Sequence, residues 1–129
     1  MENPVCIDTD IIIDHLRGRS PGAQLFADIV TRQTPYTTCI SQFELFCGAN
    51  TPKEKEIITE CLLGFKVLPF DQSSSEEAAR IYIELKRKGQ LIGVRDILIA
   101  GIAKVNNLRI ATRNRRDLGR IKGLSIWSE

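Results

Sequence analysis

The alternation of short apolar segments with longer segments of helical periodicity constrains this fold most. Four segments of four or five residues are rich in apolar or β-branched side chains and predict strands, at residues 4–7, 36–40, 66–70 and 108–112. Residues 124–126 are a candidate fifth strand. The intervening segments predict helices at residues 10–16, 21–32, 41–48, 52–63, 74–88 and 96–105. This order predicts an α/β fold, a three-layer α/β/α sandwich with a central, mainly parallel sheet of four or five strands.

The composition is typical of a single globular domain, here residues 1–129, of which 43% are hydrophobic. The longest apolar run, residues 97–103, is far shorter than the ~20 residues that cross a bilayer. No secretory signal is visible. The cysteines lie in apolar surroundings without a CxxC pair, so we expect buried, reduced thiols in a cytoplasmic protein: Cys6, Cys39, Cys47 and Cys61.

The net charge of +2 conceals an uneven distribution. Residues 80–122 contain 12 basic and 3 acidic side chains, a net charge of +9, and the rest of the chain has a net charge of −7. The small net charge therefore excludes only a uniformly basic nucleic-acid binder. A basic segment in an otherwise acidic chain favours a polyanionic partner next to a site that needs carboxylates.

Four acidic residues are predicted to meet at one edge of the sheet. Asp8 ends the first strand, Glu44 lies in the first turn after the second, Asp96 begins the helix before the fourth strand, and Asp117 follows that strand. Right-handed crossovers between parallel strands place the strand ends and the following helix starts along this edge. We therefore expect the four carboxylates to be neighbours.

Each of these acids also has a purely structural interpretation. Residues 41–44 have the pattern of a capping box, and Asp8, Asp96 and Asp117 are each candidates to cap a helix. Four clustered carboxylates would repel one another unless a cation neutralised them. An all-oxygen acidic set suits Mg²⁺ or Mn²⁺ rather than Zn²⁺. Taken together, the four acids favour a metal site.

Polar and basic residues accompany the acids along the chain. We expect four side chains to support the site, namely Thr9, Ser41, Thr112 and Asn114. Three arginines are candidate ligands of substrate phosphates, with a solvated loop as the alternative: Arg113, Arg115 and Arg116. Asp71 is interpreted as a helix cap and Asp14 as a solvated helix residue. The role of Asp10 stays open between capping and support of the site.

Four segments resemble the motifs of PIN domains, especially VapC-type toxins, in the same order. They are IDTDIIIDHL at residues 7–16, SQFELFCGA at 41–49, IGVRDILIA at 92–100 and ATRNRRDL at 111–118. Asp10, Arg95 and Leu118 depart from the residues that are common in the family, and the effect of Arg95 stays open. The resemblance extends over nearly the whole chain, from Val5 to Trp127.

The resemblance implies an endoribonuclease that uses Mg²⁺ or Mn²⁺, acts on an RNA substrate, forms a homodimer and has a cognate VapB-type antitoxin. The acidic quartet of the family falls on Asp8, Glu44, Asp96 and Asp117, and its polar positions fall on Thr112 and Asn114. We expect Asp8 and Asp96 to be direct metal ligands, and Glu44 and Asp117 to hold metal-bound waters or a second ion. An activated water would attack the phosphodiester.

Two alternatives remain at this stage. The sequence Asp8-Thr9-Asp10 is similar to the nucleophile motif of haloacid-dehalogenase phosphatases, although Ile12 departs from that motif and the chain is short for the class. A catalytically inert binding domain on the same fold is the other alternative, and the presence of all four acids argues against it.

Overall fold

The computed structural model describes residues 3–128, in which four short strands form one parallel sheet. The strands are β1 (Val5–Ile7), β2 (Tyr36–Thr38), β3 (Lys66–Leu68) and β4 (Arg109–Ala111), in the order β3-β2-β1-β4. The predicted parallel sheet is therefore confirmed. The candidate fifth strand is reduced to a single bridge between Ile126 and Ile110.

The helices occupy the connections between these strands. They are α1 (Thr9–Arg17), α2 (Gly22–Val30), α3 (Cys39–Cys47), α4 (Pro52–Leu62), α5 (Gln72–Arg87), α6 (Val94–Val105) and α7 (Arg115–Leu118). The six predicted helices are present, and α7 was not predicted. Gly18 ends α1 with φ 65°, a left-handed conformation that glycine adopts without steric cost.

Two helical layers cover the two faces of the sheet, as the sandwich prediction requires. Val5 and Ile7 contribute to a core with residues of α1, α2 and α4, whereas Cys6 packs with Ala103 and Leu108. Successive strand residues point to opposite faces, so the alternation along β1 supplies both layers. Ile110 of β4 belongs to the α5–α6 core.

The four cysteines are free, but their burial differs from the prediction. Cys6 is buried, Cys39 and Cys61 are partly buried, and Cys47 is exposed. The expectation of four buried thiols was therefore wrong for Cys47, which lies at the end of α3. In the described part of the chain, every helix is too short or too polar to cross a membrane.

Gly101 lets α5 and α6 pack closely. A methyl group at this position would lie 2.8 Å from the carbonyl oxygen of Ser74 and 3.0 Å from Cβ of Ala78. We expect Gly101→Ala to lower the free energy of unfolding by about 1–2 kcal/mol, because overpacking outweighs the gain in helix propensity. Chemical denaturation measures the change, with Gly64→Ala as the control, since its methyl group would lie 3.6 Å from the nearest atom outside its own neighbours. Equal stability of the two variants would contradict this account of the packing.

Candidate active site

Three of the four predicted acids converge on one cationic side chain at the carboxyl edge of the sheet. Asp8 directly follows β1, Glu44 lies on α3, and Asp96 lies in the first turn of α6. Arg95 donates through Nε to Glu44 Oε2, through Nη1 to Asp96 Oδ1 and through Nη2 to Asp8 Oδ1, the last at 2.9 Å. A guanidinium group with its donors in a fixed fork thus links three carboxylates that are distant in sequence.

Neutral donors hold the second oxygens of Asp8 and Asp96. The hydroxyl of Thr112 donates to Asp8 Oδ2 at 2.8 Å, and Nδ2 of Asn114 donates to Asp96 Oδ2 at 2.8 Å. The hydroxyl of Thr112 also accepts from the backbone N–H of Asn114 at 2.9 Å. The segment after β4 therefore fixes the orientation of both carboxylates.

A hydroxyl pair holds the second oxygen of Glu44. Oγ1 of Thr9 lies 2.6 Å from Glu44 Oε1 and 2.8 Å from Oγ of Ser41. Because an ionised carboxylate only accepts, the single proton of Thr9 goes to Glu44, and Thr9 accepts from Ser41. The four predicted supporting residues thus all contact an acid of the cluster or a neighbour of one.

Asp117 lies at the margin of this group. It is the third residue of α7, and Nδ2 of Asn114 lies 3.3 Å from its Oδ2. Asn114 therefore connects Asp117 to Asp96.

The capping interpretations of these acids hold only for Asp8. Its side chain accepts from the N–H of Thr9 at 2.8 Å and so caps α1. Thr38 caps α3 in place of the predicted Ser41, because β2 ends at Thr38 and the helix begins two residues earlier than expected. Glu44 therefore lies beyond the first turn, where a capping box cannot include it.

Asp96 and Asp117 lie inside their helices. The N-cap residues are Gly93 for α6 and Asn114 for α7. The capping alternative is therefore wrong for both acids. It is confirmed for Asp71, which caps α5 and accepts from the N–H of Ser74 at 2.9 Å.

The cluster perturbs the ionisation of its members. Burial and the charges of Asp8 and Asp117 raise the pKa of Asp96, although Arg95 and Asn114 oppose the shift. Partial burial acts against the charged form of Arg95, but its hydrogen bond to Glu44 and the three carboxylate charges outweigh this effect and raise its pKa. Arg95 is therefore a permanent positive charge within the acidic cluster.

Asp10 lies next to this cluster without joining its hydrogen bonds. Within residues 3–128, its Oδ1 is buried and has no hydrogen-bond partner. Burial and the neighbouring charge of Asp8 raise its pKa.

Arg113 contacts an acid although its side chain is partly exposed to solvent. Its Nη1 donates at 2.9 Å to Oδ2 of Asp14, whose side chain is 7% exposed. The interpretation of Asp14 as a solvated residue was therefore wrong. Arg115 and Arg116 are exposed on α7, as phosphate contacts would require.

Arg95 is the functional candidate whose role was missed at the level of sequence. Its position directly before Asp96, at a helix start on the acidic edge, was the available signal. A motif match could not indicate that its side chain reaches Asp8 and Glu44, which lie 87 and 51 residues away in sequence.

The donor set fits a hard divalent cation such as Mg²⁺ or Mn²⁺. It offers carboxylate oxygens from buried or half-buried acids whose orientations other side chains fix. Within residues 3–128, however, no group of three or more His, Cys, Asp and Glu side chains has the arrangement of a metal site. The guanidinium group of Arg95 lies among the carboxylate oxygens of this cluster.

The fold and the site together define an α/β/α protein with an acidic centre at the carboxyl edge of a parallel sheet. Comparison with known proteins identifies this class. Residues 5–124 match the model of the PIN domain family. The chain therefore belongs to the PIN domain family.

The relatives are VapC-type proteins. Ribonuclease VapC3 of Methanocaldococcus jannaschii is 36% identical over 96 residues, which cover 74% of this chain and 94% of that protein. The tRNA(fMet)-specific endonuclease VapC of Shigella flexneri is 34% identical over 99 residues, covering 70% of this chain and 75% of the relative. A chain of DNA-bound VapBC from Salmonella typhimurium superposes with a TM-score of 0.85 at 25% identity, covering 97% of both chains.

Proposed function

We propose that this protein is a divalent-cation-dependent endoribonuclease, the toxin of a VapBC-type toxin–antitoxin pair. One observation carries the proposal: Asp8, Glu44 and Asp96 each have one oxygen held by a neutral side-chain donor and the other in contact with the same cationic group, that of Arg95. The relatives named as ribonucleases support RNA as the substrate. The PIN family match favours this function over the phosphatase alternative.

In this proposal the acids divide into two groups. Asp8 and Asp96 bind the cation directly, whereas Glu44 and Asp117 complete its surroundings or bind a second ion. When bound, a divalent cation activates water and offsets charge on the phosphodiester. Thr9, Ser41, Thr112 and Asn114 are positioning residues, because they orient the carboxylates through hydrogen bonds.

The exposed arginines complete the proposed substrate site. Arg115 and Arg116 begin α7 and directly follow Asn114 in the sequence. Exposed guanidinium groups suit bidentate contacts with RNA phosphates. Arg113 contributes to the same positive surface while it pairs with Asp14.

The partners and the location belong to the same proposal. A VapB-type antitoxin is supported by the VapBC complexes among the similar solved structures. A homodimer is supported by large apolar side chains that are exposed on α3 and α6, such as Phe43 and Val94. We place the protein in the cytoplasm, where RNA and the antitoxin are available and the free cysteines stay reduced.

Removal of divalent cations tests the proposed function. We expect purified protein to cleave RNA in millimolar Mn²⁺ or Mg²⁺, to lose activity to the background level in excess EDTA, and to recover it when Mn²⁺ is restored. Cleavage is followed on end-labelled RNA by gel electrophoresis, and a phosphatase substrate provides the control for the alternative activity. Cleavage that persists in EDTA would contradict the proposed chemistry.

A further inference from the structure

We propose that Arg95 is an internal counter-ion that occupies the cation position among Asp8, Glu44 and Asp96 and withdraws before a divalent cation binds there. The inference rests on the proposed function, because it concerns the same acidic centre. It assigns to Arg95 a regulatory role: the side chain competes with the metal for the same oxygens.

The division of oxygens between neutral donors and Arg95 is the first argument. Thr112 and Asn114 hold Oδ2 of Asp8 and Oδ2 of Asp96, whereas Oδ1 of each acid contacts Arg95. Oδ1 of Asp8 also accepts from the backbone N–H of Thr9. Each of these two acids therefore presents one oxygen toward the interior of the cluster. In this proposal, that oxygen is the one that binds the cation.

The two oxygens of Glu44 are divided between a neutral donor and Arg95 in the same way. Thr9 holds Oε1 and Arg95 contacts Oε2. Three oxygens from three acids thus surround one guanidinium group, which is the arrangement expected of a centre built for a cation. A guanidinium group among these oxygens and a divalent ion bound to them would repel each other, because both are positive.

Burial indicates which partner moves. The side chain of Asp8 is 1% exposed and that of Asp96 is 9% exposed, whereas that of Arg95 is 36% exposed. Arg95 also lies in the first turn of α6, directly after the exposed Val94. Its long side chain can rotate toward solvent, while the carboxylates stay fixed by their neutral donors.

Electrostatics give two consequences of the competition. Without Arg95, three carboxylates repel one another in the metal-free protein, so its unfolding temperature falls. In the same variant a divalent cation binds without displacing an internal charge, so its affinity rises. These opposite effects distinguish a competitor from a residue that helps to bind the metal.

The test compares Mn²⁺ binding and unfolding temperature in the native protein and its variants. Isothermal titration calorimetry gives the dissociation constant, and thermal unfolding with and without Mn²⁺ gives the stabilisation. For Arg95→Ala we expect about tenfold tighter Mn²⁺ binding, which corresponds to withdrawal of Arg95 for roughly one-tenth of the time in the native protein. We also expect a lower unfolding temperature without metal and a larger increase on adding Mn²⁺.

Two further variants keep the test decisive. Arg87→Ala is the matched control, because it removes an exposed arginine that pairs with Glu84 on α5, and it should bind Mn²⁺ like the native protein. Arg95→Lys retains the charge but lacks the planar fork, so its affinity should lie between those of the native protein and Arg95→Ala. If Arg95→Ala does not fold without metal, this variant shows whether Arg95 competes with the cation.

The outcomes separate this inference from the proposed function. Asp96→Asn should lose Mn²⁺ binding if the proposed centre is correct. If it does so while Arg95→Ala and Arg95→Lys bind Mn²⁺ no more tightly than the native protein, the inference fails and the proposed function stands. If none of these proteins binds Mn²⁺, or Asp96→Asn binds it normally, both fail. Binding by Arg95→Ala alone would overturn the inference, because Arg95 would then not withdraw in the native protein.

Discussion

Asp96→Asn is expected to lower RNA cleavage at least about a hundredfold while leaving the protein folded. Even residues that only orient a metal ligand affect affinity or activity by about 10–100-fold, and the loss of a ligand should cost no less. Asparagine keeps the shape of aspartate but removes the negative charge that, in our proposal, binds the cation. It also brings an amide N–H₂ group close to donors of Arg95 or Asn114, which are the present partners of Asp96.

The effect on stability should be small, because relief of a buried charge offsets the unfavourable contact of the new N–H₂ group with a donor. Burial raises the pKa of Asp96, so the fold itself disfavours its charged form, and neutralisation by asparagine removes that cost. Circular dichroism and thermal unfolding should therefore give curves close to those of the native protein in the absence of metal. The activity loss then reports on chemistry rather than on unfolding.

The decisive measurement is kcat/KM for cleavage of a labelled RNA at saturating Mn²⁺. Asp28→Asn is the matched control, because Asp28 lies on α2 and accepts a hydrogen bond from the exposed Gln24. We expect this control to retain native activity. Activity of Asp96→Asn within threefold of the control would exclude Asp96 from the centre.

Much of the fold follows from local sequence, because each element depends on residues close together in the chain. The apolar residues of β1 and β4 predict buried parallel strands, and the paired neighbours Cys6 and Ile110 confirm the predicted parallel arrangement. Parallel strands with helical crossovers then place Asp8 and Asp96 at one edge. The meeting of acids could therefore be predicted without knowledge of any side-chain contact.

The local capping pattern was misleading at α3, because the side chains of Ser41 and Glu44 contact a residue that is distant in sequence. Ser41 and Glu44 satisfy the spacing of a capping box, but Thr38 takes the capping position. Both side chains instead meet Thr9, which is 32 and 35 residues away in sequence. A pattern of four residues contains no information about such a partner.

The contacts of the arginines could not be predicted for the same reason. Arg113 pairs with Asp14 across 99 residues, and Arg95 reaches Asp8 across 87. Such pairs depend on how helices are placed around the sheet and on which rotamers remain open, so charge counts along the chain cannot identify them. The count for residues 80–122 indicated a positive surface but not which of its charges are already neutralised.

Arg113→Ala is expected to lower the free energy of unfolding by about 2 kcal/mol. The variant leaves the carboxylate of Asp14 buried without its cationic partner, and an unpaired buried charge is strongly destabilising. We place the effect below the usual 3–5 kcal/mol because the Arg113 side chain is 46% exposed and solvent screens the pair. Asp14 has little room to turn away, since a methyl group on Gly22 would lie 2.2 Å from its Oδ2.

A double-mutant cycle with Asp14→Asn tests this explanation, with unfolding in urea as the measurement. Once Asp14 is neutral, Arg113→Ala should lower the free energy of unfolding by less than about 0.5 kcal/mol, because no buried charge loses its partner. Arg116→Ala is the control: its side chain is exposed, so we expect native stability together with weaker, less salt-dependent binding of RNA. If Arg113→Ala instead matched Arg116→Ala in both stability and RNA binding, Arg113 would serve as a phosphate contact and its pairing with Asp14 would contribute nothing to the fold.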